Sequence, residues 1–88
     1  MDPEAKEIVA AIREILEQCG ESDWSKTFTY LADRMNEEAD DVKREVRSVY
    51  GGMGSFSDVV VYREGRAERG LNDKLDSLRR RLYELCRS

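Results

Sequence analysis

Five leucines, Leu71, Leu75, Leu78, Leu82 and Leu85, recur at spacings of four, three, four and three near the end of the chain. That spacing lines one edge of a helix over 71–87. The run covers about two heptads, short of the three or four that argue for a coiled coil, so a core-facing helix is the reading. Asn72 stands as its cap, with Asp73 and Asp76 early and Arg79, Arg80, Arg81 and Arg87 late, as the helix dipole favours. The arginine run fans around the helix, which reads as a solvated helix end rather than a phosphate site.

Three further stripes precede it. Asp2 as cap and Pro3 at the first helical position start a helix over 3–19, with Ile8, Val9, Ile12, Ile15, Leu16 and Cys19 on one edge and Gly20 as its stop. Ser22 or Asp23 caps a second helix over 23–36, striped by Trp24, Phe28, Leu31 and Met35. Thr27 and Thr29 lower its propensity, so packing has to hold it, and Trp24 and Phe28 read as core rather than as an exposed anchor. A third helix over 38–50 carries Ala39, Val42, Val46, Val49 and Tyr50, and Gly51 and Gly52 end it by offering a left-handed C-cap. It is set off from the second helix by a short break, or runs on from it with a kink near Asn36. The expectation is one domain over 1–88, mainly α: a bundle of about four helices.

The helical pattern is interrupted by "YGGMGSFSDVVVY", residues 50 to 62. It reads as a glycine-rich turn over 51–57 and a short extended strand over 58–62, followed by the polar turn "REGRAERG". A lone strand has to pair with another short segment, pair with a second copy, or lie across the helices. The turn, with Gly51, Gly52, Met53, Gly54, Ser55 and Asp58, is a candidate ligand loop, because glycine-rich turns free backbone N–H groups for an anion. However, a phosphate loop runs from strand to loop to helix and carries a lysine. Here a helix comes first and the loop has no lysine. A structural turn is therefore favoured, with Met53 and Phe56 turned inward and Ser57 or Asp58 bonding the free amides.

Composition removes most chemistry. The chain has no histidine, the commonest acid–base group and metal ligand, and its two cysteines cannot complete a tetrahedral zinc site. No catalytic residue, metal ligand or cofactor is expected, and the expectation is a non-enzyme. Cys19 and Cys86 read as reduced thiols, able to bridge only if the ends of their helices meet. Apolar residues make up 40% of the chain, too many for a disordered one, and no run of about 18 apolar residues offers a membrane span. The N-terminus is acidic where a signal peptide would be basic, which points to the cytoplasm.

Charge is uneven. Residues 1–50 hold seven basic and thirteen acidic side chains, and residues 51–88 eight basic and six acidic, for a net charge of −4. Nucleic-acid binding needs cations to displace counterions, so direct binding is not expected from such a chain. A protein partner, basic in character, fits better, with Glu14, Glu17, Glu37, Asp40 and Asp41 on helices one and three as the candidate contact residues.

The glycine-rich turn and the segment "LNDKLDSLRRRLYEL" resemble a family of small bacterial proteins of unknown function. Gly51, Gly52, Met53, Gly54, Ser55, Phe56 and Asp58 match its signature, with Ser57 where asparagine is frequent, and Leu75, Leu78, Leu82 and Tyr83 match its final helix. The resemblance covers residues 45–86. The first forty residues resemble no family. The resemblance implies no activity, but it implies a dedicated role for the turn, in folding or in contacting a partner. The expected function is an interaction module of immunity or inhibitor type. The alternatives are a small-ligand or nucleotide sensor built on residues 51–58, a nucleic-acid mimic directed against a defence system, and a homodimer joined through strand 58–62 or the leucine stripe.

Overall fold

The first helix shows how closely the ends follow local chemistry. In the computed structural model, α1 (Pro3–Gln18) ends at Gly20, whose φ of 76° lies in the left-handed region. The Glu21 N–H donates to the Leu16 carbonyl at 2.9 Å and the Gly20 N–H to the Glu17 carbonyl at 3.3 Å, the paired bonds of a Schellman cap. The structure describes residues 3–36, 39–51, 55, 56 and 59–87, apart from the side chains of 39 and 40. The expected roles of Asp2, Gly52, Met53, Ser57 and Asp58 lie outside these residues.

The remaining elements are α2 (Ser22–Arg34), α3 (Ala39–Ser48), β1 (Tyr62–Arg63), β2 (Arg66–Ala67) and α4 (Arg69–Arg87), so the described fold is mainly α, with four helices and one two-stranded hairpin. α2 gives way to a turn at 35 and 36, and α3 is a separate helix from Ala39. Within α2 the Thr27 and Thr29 hydroxyls donate to the carbonyls of Asp23 and Ser25, four residues back, so these residues sit in the helix through their own bonds.

Cross-helix bonds fix the directions. Lys6 reaches Asn36, Arg34 pairs with Glu45 at 3.0 Å, Arg47 donates to the Cys86 carbonyl at 3.0 Å, and Arg81 grips Glu4 at 2.6 and 3.0 Å. The Tyr50 hydroxyl reaches the Arg79 carbonyl, seven residues before Cys86, so α4 runs back along α3; each neighbour in sequence is antiparallel, and α4 closes the ring against α1, which leaves α1 and α3 diagonal. The two ends also separate the thiols. Cys19 lies by the hairpin and Cys86 by Lys43 and Arg47, and both are free.

The core follows the four stripes. Ile12, Leu16, Phe28, Leu31, Met35, Val42, Val46, Leu75 and Leu82 are fully or almost fully buried, while Leu71, Leu78 and Leu85 are partly buried against them. The leucine edge of α4 thus faces its own bundle. Phe28 is likewise a core residue, and Trp24 is partly buried against it.

One helix is too short. At 1.5 Å per residue, α3 is about 15 Å long and α4 about 28 Å, so α3 covers only the C-terminal half of α4. The connection fills the other half, burying Phe56 and Val61. This revises two sequence expectations. Residues 59–61 are not part of a strand, and the strand proper is Tyr62–Arg63, paired within the chain to Arg66–Ala67 inside the stretch read as a polar turn. Asn72 is not a cap but lies inside α4, which starts at Arg69. Its side chain staples the connection, accepting from the Val61 N–H at 2.7 Å and donating to the Val61 carbonyl at 2.9 Å. The Glu68 carboxylate, not Asn72, accepts an orphan helix N–H, that of Gly70, at 3.1 Å.

Gly51 is a second revision at the residue level: its backbone is not left-handed. The helix instead tightens at its end, Val49 and Tyr50 donating three residues back to Val46 and Arg47, and the Phe56 N–H then donates to the Val49 carbonyl at 2.8 Å.

Candidate functional site

Phe56 sits where three helices and the connection meet. Its ring lies 4.6 Å from Phe28, 5.4 Å from Trp24 and 5.7 Å from Tyr50, the last edge-on at 81°. The Tyr50 pair is the T-shaped arrangement that the ring quadrupole favours, and the other two are tilted, at 48° and 50°. Arg79 closes the cluster from α4. Its guanidinium carbon stands 5.9 Å from the Phe56 centroid, and Nη1 donates to the Phe56 carbonyl at 3.1 Å and the Val59 carbonyl at 2.8 Å. Asp76 holds the same guanidinium at 3.2 Å. One arginine thus satisfies two carbonyls of a connection that has no ladder there.

Tyr50 binds the same corner from the turn that ends α3. Its hydroxyl donates to the Arg79 carbonyl at 2.7 Å, and burial raises its pKa, so it remains a donor throughout the neutral range. Ser55 is buried and its hydroxyl donates to the Tyr50 carbonyl at 3.3 Å. Of the candidate loop residues, Gly51 is exposed, Ser55 faces inward, and Gly52, Met53, Gly54 and Asp58 lie outside the described residues.

Over this corner runs a surface groove of about 400 Å³ lined by Tyr50, Asp76, Arg79, Arg80, Tyr83, Glu84 and Arg87. Tyr83 is 40% exposed and its ring rests 5.1 Å from that of Tyr50. Arg80 is held toward the groove by Asp76 at 2.8 Å. The floor is therefore aromatic, its rigidity comes from the Phe56 cluster beneath, and its rim carries both signs of charge.

The arginine run divides accordingly. Arg79 is a structural pin, Arg81 is locked to Glu4, and Arg80 is the one presented to solvent, with Arg87 about two helical turns beyond. Sequence spacing could not separate them, because the partners of Arg79 and Arg81 are 20 and 77 residues away.

The acidic candidates among the described residues do not form one surface. Glu14 and Glu17 are exposed on α1, Glu17 accepting from Ser25 at 3.5 Å and facing Arg13 at 3.9 Å. Asp41 is exposed at the start of α3, diagonally across the bundle and toward its other end. Glu37 and the side chain of Asp40 lie outside the described residues. Among the described residues, no three metal-ligating side chains cluster, and no helix is long and apolar enough to cross a membrane.

No curated protein and no solved structure matches the chain. A family model does match, over residues 17–69, from the end of α1 through the glycine-rich turn and the hairpin to the first residue of α4. The stretch read from sequence as family-like, 45–86, shares 45–69 with this span. The first forty residues, read as resembling no family, contribute 17–40 to it. The chain therefore belongs to DUF6966, a family described as a domain of unknown function.

Proposed function

We propose that this chain is a non-enzymatic protein-interaction module whose contact surface is the α3–α4 groove centred on Tyr83. The observation that carries this reading is the exposed Tyr83 ring packed at a tilt against Tyr50 and flanked by Arg80 and Arg87. Tyrosine and arginine are the residue types that dominate binding energy at protein interfaces. A floor already fixed by Phe56 and Arg79 loses little side-chain freedom on binding, which favours affinity per unit area. The absence of histidine supports the non-enzymatic part. The reading keeps the expected mode, occupying a partner's surface as immunity proteins and inhibitors do, but moves the surface from the acids of α1 and α3 to the groove.

The test is affinity capture followed by quantitative binding. A partner captured by the wild type should lose affinity about tenfold or more with Tyr83→Ala, and with Arg80→Glu and Arg87→Glu combined. Glu14→Lys with Glu17→Lys should leave it bound. Loss with the α1 reversal and retention with the groove variants would return the contact to the acidic residues.

A further inference from the structure

The tip of the β1–β2 hairpin breaks several local preferences in one place. Its two turn residues, Glu64 at φ 53° and Gly65 at φ 79°, are both left-handed. A two-residue turn of that kind favours asparagine, aspartate or glycine at its first position, and here it carries glutamate. Arg63 stands directly opposite Arg66 across the ladder. Like charges in that position oppose pairing. Among the described residues neither arginine has an ion pair.

Among the described residues nothing pairs with the outer edge of β1. Val61 directs its backbone inward, its carbonyl accepting from the Glu68 N–H and the Asn72 amide. By the alternation of an antiparallel ladder, Tyr62 turns its N–H and C=O groups to the outer edge. Its side chain and that of Val60, two residues before it, are 52% and 46% exposed. Arg63 takes the other face with Val61.

We propose that this edge docks an extended acidic segment of a partner protein, which adds as a third strand beside β1. Alternate apolar side chains would lie against Val60 and Tyr62, and a carboxylate between them would take the guanidinium groups of Arg63 and Arg66. A second copy of this chain does not fit the role, because residues 59–63 carry no carboxylate to offer. Nucleic acid fits less well, since Glu64 and Glu68 flank the arginines and the chain is net negative. The surface is independent of the α3–α4 groove.

The probe is a capped peptide, Gly-Glu-Val-Glu-Val-Glu-Gly, titrated into the labelled full chain and followed by amide NMR. A lysine-for-glutamate version and a short oligothymidylate serve as comparisons. Shifts should concentrate at 59–67, and exchange of the Tyr62 amide should slow about tenfold at saturation. Arg63→Glu with Arg66→Glu should weaken binding about tenfold, and the lysine peptide should not bind. Arg66→Glu alone should raise Tm, because it creates an opposite-charge pair, while weakening the peptide. Absence of shifts at 59–67, binding indifferent to the arginines, or tighter binding of the oligothymidylate would each overturn the proposal. A fall in Tm with Arg66→Glu would remove its premise.

Discussion

The corner around Phe56 and the hairpin tip around Glu64 belong to the same connection between α3 and α4, yet they are built on opposite terms. Phe56 is fully buried, ringed by three aromatic side chains, and its carbonyl is held by Arg79. At the tip, two arginines face each other across the ladder and a glutamate holds a left-handed backbone. In the corner every local choice agrees with the fold. At the tip several disagree with it. Consistency is what specifies a structure, and concentrated conflict is where a surface is free to serve a contact.

The sharpest way to break this contrast is Phe56→Ala. Emptying a fully buried aromatic site should cost about 3–5 kcal/mol in urea denaturation, enough to threaten folding of so small a chain. A loss near that of a surface substitution would mean that the corner is not the hub. Asn72→Ala comes next, since it orphans the buried N–H of Val61 and one bond to its carbonyl at the join between the two halves. A loss of about 2 kcal/mol is expected, with faster amide exchange at Val61. Glu64→Gly should have the opposite sign, raising stability by about 0.5 kcal/mol as the left-handed strain is relieved. Destabilisation by Glu64→Gly would mean that the tip is well matched after all.

The smallest effect lies outside the connection. The Arg81 guanidinium donates to the exposed Glu4 carboxylate and holds its pKa below the ordinary 4.5. A depressed carboxylate pKa adds stability that is complete above the unfolded value and fades as pH falls through the folded one. The difference between wild type and Glu4→Gln should therefore be small at neutral pH, shrink with added salt, and vanish on acidification. A difference that grows on acidification would contradict the latch.

Most of the helical frame was legible because it rests on local periodicity. The stripes of α1, α2 and α4 each face the core, and Gly20 stops α1 as its position suggests. The connection was not legible to the same degree. Three consecutive valines signalled extension, but the ladder begins one residue past them, at Tyr62, because Glu-Gly is a weak hairpin signal beside Asn-Gly or Asp-Gly. Asn72 resembles a cap by type, while its actual partner is eleven residues upstream. The groove is not legible in the sequence, because Tyr50 and Tyr83 are 33 positions apart, and nothing in the spacing of the arginines marks Arg79 for the inside and Arg80 for the outside.

The up-and-down order of the helices has a chemical corollary. Cys19 and Cys86 sit toward opposite poles of a molecule 39 Å long, one half-exposed and the other sealed among side chains. Burial raises the pKa of both thiols, so neither is primed for attack. An oxidant acting on the native state therefore finds a single reachable sulfur, and any crosslink it makes joins two molecules tail to tail through their hairpin ends, leaving each chain uncyclised.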